Sequence, residues 1–230
     1  MKKRGFTLAE VLITLAIIGV VSAITLPALN ANIGEQQYKT ALRKGINTLT
    51  EAASLAQAQD GWDYGSIIAN SDAKELKNTL ETGDNKARSL TNLLKHYAAV
   101  DTKSTQDSAK TGLIQGNTPY TGLTVVFRDG SSLMFPTTAG NDDDSRKMQY
   151  DGLSRGFVVL FDSNGKKGPN LLSNCSGQMN QAPDFAYNES INYDGGCSKT
   201  GRIIKDQFTL LLRGNVAEPY GAAAYWAVNN

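Results

Sequence analysis

The first thirty residues constrain this chain more than any others. From Phe6 to Gly34 the only charged side chain is Glu10, inside the stretch GFTLAEVLITLAIIGVVSAITLPAL that begins at Gly5. Val11 to Leu26 is uncharged and dominated by Leu, Ile, Val and Ala, close to the roughly 20 residues a helix needs to cross a hydrocarbon core of about 30 Å. Lys2, Lys3 and Arg4 precede it and are expected to hold the N-terminus in the cytoplasm, with the remainder of the chain outside. The two hundred residues that follow are polar and glycine-rich, so the chain reads as a membrane helix joined to a soluble body. Across all 230 residues, 23 Lys and Arg face 22 Asp and Glu, and a balance this even argues against nucleic-acid binding driven by a chain-wide field.

Glu10 separates the readings of the apolar segment. A secretory signal would use Val21-Ser22-Ala23 as its cleavage site, and a plain transmembrane anchor would keep the segment whole. Both leave the carboxylate as an uncompensated cost, roughly 2.5 to 3.5 kcal/mol deep in a bilayer and less near its surface. A carboxylate is tolerable there when it is paired. Gly5-Phe6-Thr7-Leu8-Ala9-Glu10, behind a short basic leader and ahead of a long apolar helix, resembles the prepilin processing motif of type IV pilins and type II secretion pseudopilins.

That resemblance implies cleavage after Gly5 by a prepilin peptidase, an aspartyl protease of the membrane, and N-methylation of the new terminus at Phe6. It implies that the Glu10 carboxylate pairs with the Phe6 amino group of a neighbouring subunit during assembly. Glycine at the cut suits a protease that needs an uncrowded backbone. The implied partners are the peptidase, other pilin or pseudopilin subunits in a helical homo- or hetero-filament, and an inner-membrane assembly platform with a cytoplasmic ATPase. The implied location is the bacterial inner membrane, crossed once, and then a periplasmic or cell-surface filament. The chain divides into a leader (1–5), a transmembrane and filament-core helix (6–29) and an exported pilin-like body (30–230). Pro27 either kinks or locally melts the helix near Ser22 to Pro27 or marks the membrane exit.

Beyond Pro27 the helical spacing continues. Tyr38, Leu42, Ile46, Leu49, Ala53 and Ala56 recur every three or four residues, with Lys39, Arg43, Lys44 and Glu51 on other faces. One helix is predicted from about Phe6 to Gln59, stopped by Asp60-Gly61. Residues 72–99 suggest one or two short helices with Leu90, Leu93, Leu94 and Tyr97 on an apolar face, and 101–121 reads as a polar loop. GLTVVF and SSLMFP flank a hairpin turn at Arg128-Asp129-Gly130, and GFVVLF and QFTLLL read as further strands. The expected fold is α+β: a long N-terminal helix packed by its C-terminal half against an antiparallel sheet of about four strands, as in pilins. DSNGKKGPN (Asp162 to Asn170) and the later GRIIKDQF resemble a pattern common near the C-terminal strands of pseudopilin-like proteins. The long insertion 171–200 departs from it.

Few residues suggest chemistry. Cys175 and Cys197, on the exported side, are expected to form a disulfide, which would stabilise the body by roughly 3 kcal/mol. Two thiols without a nearby histidine make a poor zinc site. Asp162-x-Asn164-Gly165 resembles the opening of a calcium loop, but Lys166 falls where an oxygen ligand belongs and the bidentate glutamate is missing. A tight turn at Asn164-Gly165 is the simpler reading, with calcium at Asp162 and Asn164 as the weaker alternative. Asp142, Asp143 and Asp144 read as a solvated acidic loop. His96, the single histidine, sits on a predicted helix as a packing or surface residue. No Gly-x-Gly-x-x-Gly, P-loop or HExxH occurs, so neither a cofactor nor enzymatic activity is expected. The leading function is a filament subunit. The alternative is a minor pilin whose body binds a surface, DNA or secretion cargo at a filament tip, through aromatics such as Trp62, Tyr64, Tyr220, Tyr225 and Trp226. Without a basic groove among them nucleic acid is a weak candidate.

Overall fold

A computed structural model describes residues 5–69, 90–101, 106–107, 122–136, 156–165, 167–176, 197 and 201–230. The chain separates into two compact units, Met1–Gln37 and Tyr38–Asn230. One helix, α1 (Leu8–Asp60), contributes to both.

In the first unit, Leu8–Thr25 is long and apolar enough to cross a membrane, and none of it is buried within the protein. At 1.5 Å per residue these 18 residues span about 27 Å. The helical assignment runs without interruption through Pro27; the side chains of residues 26–32 lie outside the described residues.

In the second unit the amphipathic part of α1 supplies one wall of the core. Leu42, Leu49, Ala52, Ala53 and Ala56 are fully buried, with Tyr38 and Ile46 packed at the edge. The helix ends at Asp60, where Gly61 takes φ +72° and its amide donates back to the Gln57 carbonyl (3.2 Å), the left-handed stop that glycine favours. A short α2 (Tyr64–Ala69) follows, capped by the Asp63 carboxylate, which accepts from the Ser66 amide at 3.0 Å. Tyr64 is buried beneath α1 and donates its hydroxyl to the Leu49 carbonyl (2.7 Å). Burial raises its phenol pKa. In α3 (Leu90–Tyr97) the predicted apolar residues Leu90, Leu93 and Leu94 are buried, while His96 is exposed.

The facing wall is a six-stranded antiparallel sheet in which strands pair in chain order: β1 (Gln106–Asp107), β2 (Gly122–Val126), β3 (Ser132–Pro136), β4 (Gly156–Asp162), β5 (Gln207–Arg213) and β6 (Val216–Pro219). The four predicted strands are β2 to β5. Alternation sets which side chains face α1: Val125, Leu133, Val159, Phe161, Phe208, Leu210 and Leu212 join its core, while Met134 and Leu160 form a second cluster with Leu172. The β2–β3 turn falls at Arg128-Asp129-Gly130 as expected, with Gly130 at φ +91° and the Asp129 carboxylate accepting from the Ser131 amide (3.0 Å). The expected fold is therefore present, with additions at both sheet edges. Gln106 and Asp107, read as loop, pair with Thr124 and Leu123. At the other edge β6 adds to β5, and its Ala217 amide donates to Thr50 Oγ1 of α1 (3.1 Å).

A final helix, α4 (Ala222–Asn229), was not anticipated and closes the body. Arg43 of α1 donates from Nε to the Val228 carbonyl (3.0 Å) and from a terminal nitrogen to the Ala227 carbonyl (3.4 Å), satisfying carbonyls that a helix C-terminus leaves open. Lys39 corrects the expected polar face of α1. It is only 3% exposed, because its ammonium lies 4.0 Å from the centre of the Trp226 ring, against which the Arg202 guanidinium also lies at 3.6 Å. Both cations gain from the ring's negative face.

Candidate functional site

Gly5, Phe6 and Thr7 precede α1 in non-helical conformation. Phe6 is 90% exposed, and a Cβ built on Gly5 would meet no atom within 4 Å. The peptide after Gly5 is thus unobstructed within this chain.

The first turn of α1 answers part of the question posed by Glu10. The Thr7 amide donates to Glu10 Oε2 (2.8 Å) and the Thr7 hydroxyl donates to the same oxygen (2.9 Å), while the Glu10 amide donates to Thr7 Oγ1 (3.3 Å). This is a capping box: each side chain satisfies a backbone donor that the helix start would otherwise leave open. The Val11 amide reaches the Thr7 carbonyl (3.2 Å), which places Thr7 as the N-cap and moves the helix start two residues past the predicted Phe6. The carboxylate also sits at the positive end of the helix dipole. Glu10 Oε1 accepts no hydrogen bond among the described residues. The sequence carried the signal for this box in Thr7-x-x-Glu10, but reasoning from charge alone passed over it.

In the body, Cys175 and Cys197 are joined by a disulfide, with Cα atoms 4.8 Å apart. Cys175 packs against the core, and the backbone beside it is paired: Asn174 and Ile203 exchange amide-to-carbonyl bonds of 2.9 and 2.8 Å.

The DSNGKKGPN stretch forms a turn held by two carboxylates. Asp162 Oδ1 accepts from the amides of Asn164 (3.0 Å) and Gly165 (2.7 Å), and its Oδ2 accepts from Gln207 Nε2 (2.9 Å). Asp206, the aspartate of GRIIKDQF, accepts from the amides of Asn170 (2.7 Å) and Leu171 (2.9 Å). The sequence reading had not assigned Asp206 a role. Asp162 is 1% exposed. Burial pushes its pKa up to about 7, with the Asp206 charge adding to the rise and the Gln207, Asn164 and Gly165 donors opposing it. Both Asp162 oxygens are thus engaged by protein donors, which any cation would have to displace. Among the described residues no cluster of three metal-ligating side chains occurs. Asp142 to Asp144 lie outside the described residues.

The aromatics of the tip-module reading separate by environment. Trp62, Tyr64 and Tyr220 are buried, Trp226 is held between α1 and Arg202, and Tyr225 is the one left exposed, at 40%.

A family model described as the prokaryotic N-terminal methylation motif matches residues 1–26. The chain is therefore prepilin-like at its N-terminus, with the motif that directs prepilin processing and an apolar helix suited to membrane anchoring. No curated protein and no solved structure matched the chain.

Proposed function

We propose that this chain is a structural subunit of a type IV pilus-like or type II secretion pseudopilus filament. In this reading it is cut after Gly5, N-methylated at Phe6 and assembled through α1, with its body exported and its leader in the cytoplasm. One observation carries the reading: the processing motif heads an apolar segment of α1, Leu8–Thr25, of which no part is buried, and Glu10, the single carboxylate of that segment, keeps one oxygen without a hydrogen bond among the described residues.

The physics of such a helix favours an electrostatic key. Lipid tails are about as apolar as leucine, so leaving lipid for a bundle of similar helices gains little from hydrophobicity alone. Cleavage creates an α-amino group, which with a pKa near 8 is cationic at neutral pH. Methylation leaves it a protonatable amine. Glu10 Oε1 of one subunit can accept from the Phe6 amine of another only at one axial stagger, so the pair fixes register while neutralising both charges. The subunit itself performs no covalent chemistry, and the work of extraction falls to a cytoplasmic ATPase acting through an inner-membrane platform. A disulfide in the body suits an oxidising compartment.

Mass spectrometry of the N-terminal peptide from native membranes tests the processing step. A chain beginning at N-methylated Phe6 is expected; one beginning at Ile24 would mean ordinary secretion, and one retaining Met1 or Lys2 a simple anchor. Glu10→Ala is expected to be cleaved yet absent from filaments. Normal filaments from that variant would refute the pairing.

A further inference from the structure

Outside the processing site, the body holds a cavity of about 320 Å³ between α1 and the β2–β3 turn. This is roughly twice the ~150 Å³ that accommodates benzene in a protein core, and within the usual range of small-ligand sites. Phe127 and Phe161 are among the residues that line it, with Gly45, Thr48 and Ala99. The Phe161 ring packs over the bare backbone of Gly45, and Ala99 extends only a methyl group toward the space.

The charges at the mouth are unequal. Lys44 and Asp129 pair at 2.6 Å, and the other Asp129 oxygen accepts from the amide and hydroxyl of Ser131 (3.0 and 2.6 Å). The Asp129 carboxylate is therefore fully occupied. Arg128, also lining the cavity, is exposed and makes no ion pair among the described residues. Among the described residues it is thus a forked cation without a counter-charge, beside a pocket that Phe127 and Phe161 help to line.

We infer that this cavity is a binding site for a free, ring-bearing monocarboxylate, with the ring between Phe127 and Phe161 and the carboxylate on the Arg128 guanidinium. Aromatic walls favour a ring in offset or edge-on contact, and the planar guanidinium can take both carboxylate oxygens. The site goes beyond filament assembly and would let the exported body respond to a small molecule.

The test is a titration of the ¹⁵N-labelled full chain in detergent micelles with 1-naphthylacetate, following the amides of Gly45, Thr48, Ala99 and Arg128. Saturable shifts with a dissociation constant of about 0.1 to 1 mM are expected for a ligand of this size. Arg128→Gln, and replacement of the ligand by neutral 1-naphthaleneacetamide, should each weaken binding about tenfold. Ala99→Leu, at an exposed position, should fill the cavity and abolish the shifts while the rest of the spectrum is retained. Three outcomes would overturn the inference: no saturable shift up to 5 mM, equal binding of the acid and its amide, or the same shifts with acetate.

Discussion

Gly45 provides a test in which two effects of opposite sign compete. In an exposed helix interior, glycine to alanine is stabilising by about 1 kcal/mol. At Gly45, however, a Cβ would lie 2.4, 2.7 and 2.9 Å from three carbons of the Phe161 ring, against an ordinary contact of about 3.5 to 4 Å. Phe161 is 1% exposed on a central strand, so it can yield only toward the cavity it lines or by disturbing β3 and β5 on either side. Overpacking of this kind costs roughly 1 to 3 kcal/mol. An overlap of about 0.6 to 1.6 Å spread over three ring atoms belongs at the upper end of that range. Gly45→Ala is therefore expected to destabilise the body by about 1 to 2 kcal/mol, lowering Tm by roughly 3 to 6 °C. The assay is thermal or urea unfolding of the full chain in detergent, with Phe161→Leu as a second background. Removing the ring removes the clash, so in that background Gly45→Ala should become neutral or stabilising, giving a coupling of opposite sign to the single substitution. Stabilisation by Gly45→Ala in the unaltered chain, or the same loss in both backgrounds, would refute the close approach of α1 to β4.

Three further predictions follow from the other sites. The folded chain holds a proton on Asp162 up to about pH 7, whereas an unfolded aspartate loses it near 3.9. Stability should therefore fall by a few kcal/mol as pH rises from 4 to 7, and Asp162→Asn, whose amide the Gln207 amide can meet by turning over, should flatten that slope in pH-dependent urea unfolding; matching slopes would refute the assignment. Replacing Cys175 and Cys197 together by serine should cost roughly 3 kcal/mol of unfolding free energy, and the same loss should appear when the unsubstituted protein is reduced. Thr7→Ala removes half of the capping box, worth about 1 kcal/mol, and should speed amide exchange at Leu8 to Val11 about fivefold while leaving exchange beyond Thr25 unchanged.

What could be read from the sequence follows a physical pattern. The buried face of α1 was legible because Leu42, Leu49, Ala53 and Ala56 repeat at helical spacing, and β2 to β5 because each is an apolar run bounded by turn residues. The N-terminal processing motif was legible because a lone carboxylate in an apolar run is costly. β6 was not, since Val-Ala-Glu-Pro has no alternation and is placed by pairing with β5. α4 was equally silent: Ala-Ala-Ala-Tyr-Trp-Ala-Val-Asn carries no narrow apolar stripe, and Gly221 before it provides no side-chain cap. The burial of Lys39 depends on Trp226 at the far end of the chain, a contact that no local window contains. Asp162 could be read as a turn former, but its raised pKa comes first from burial by the folded sheet, with Asp206 adding to it, and sequence distance conceals both.

The closure of the body by α4 has a consequence in time. Arg43 and the carbonyl it caps are separated by 185 positions in the chain, so this contact cannot form until almost the entire polypeptide has emerged. Contacts between such distant segments form slowly, because the intervening chain must first be brought together. Throughout that interval Arg43 and Lys39 on α1, among the first residues made, wait for partners that are last. The body is thus completed from its tail, and any event that delays the tail leaves the Lys39 and Arg43 side of α1 uncovered.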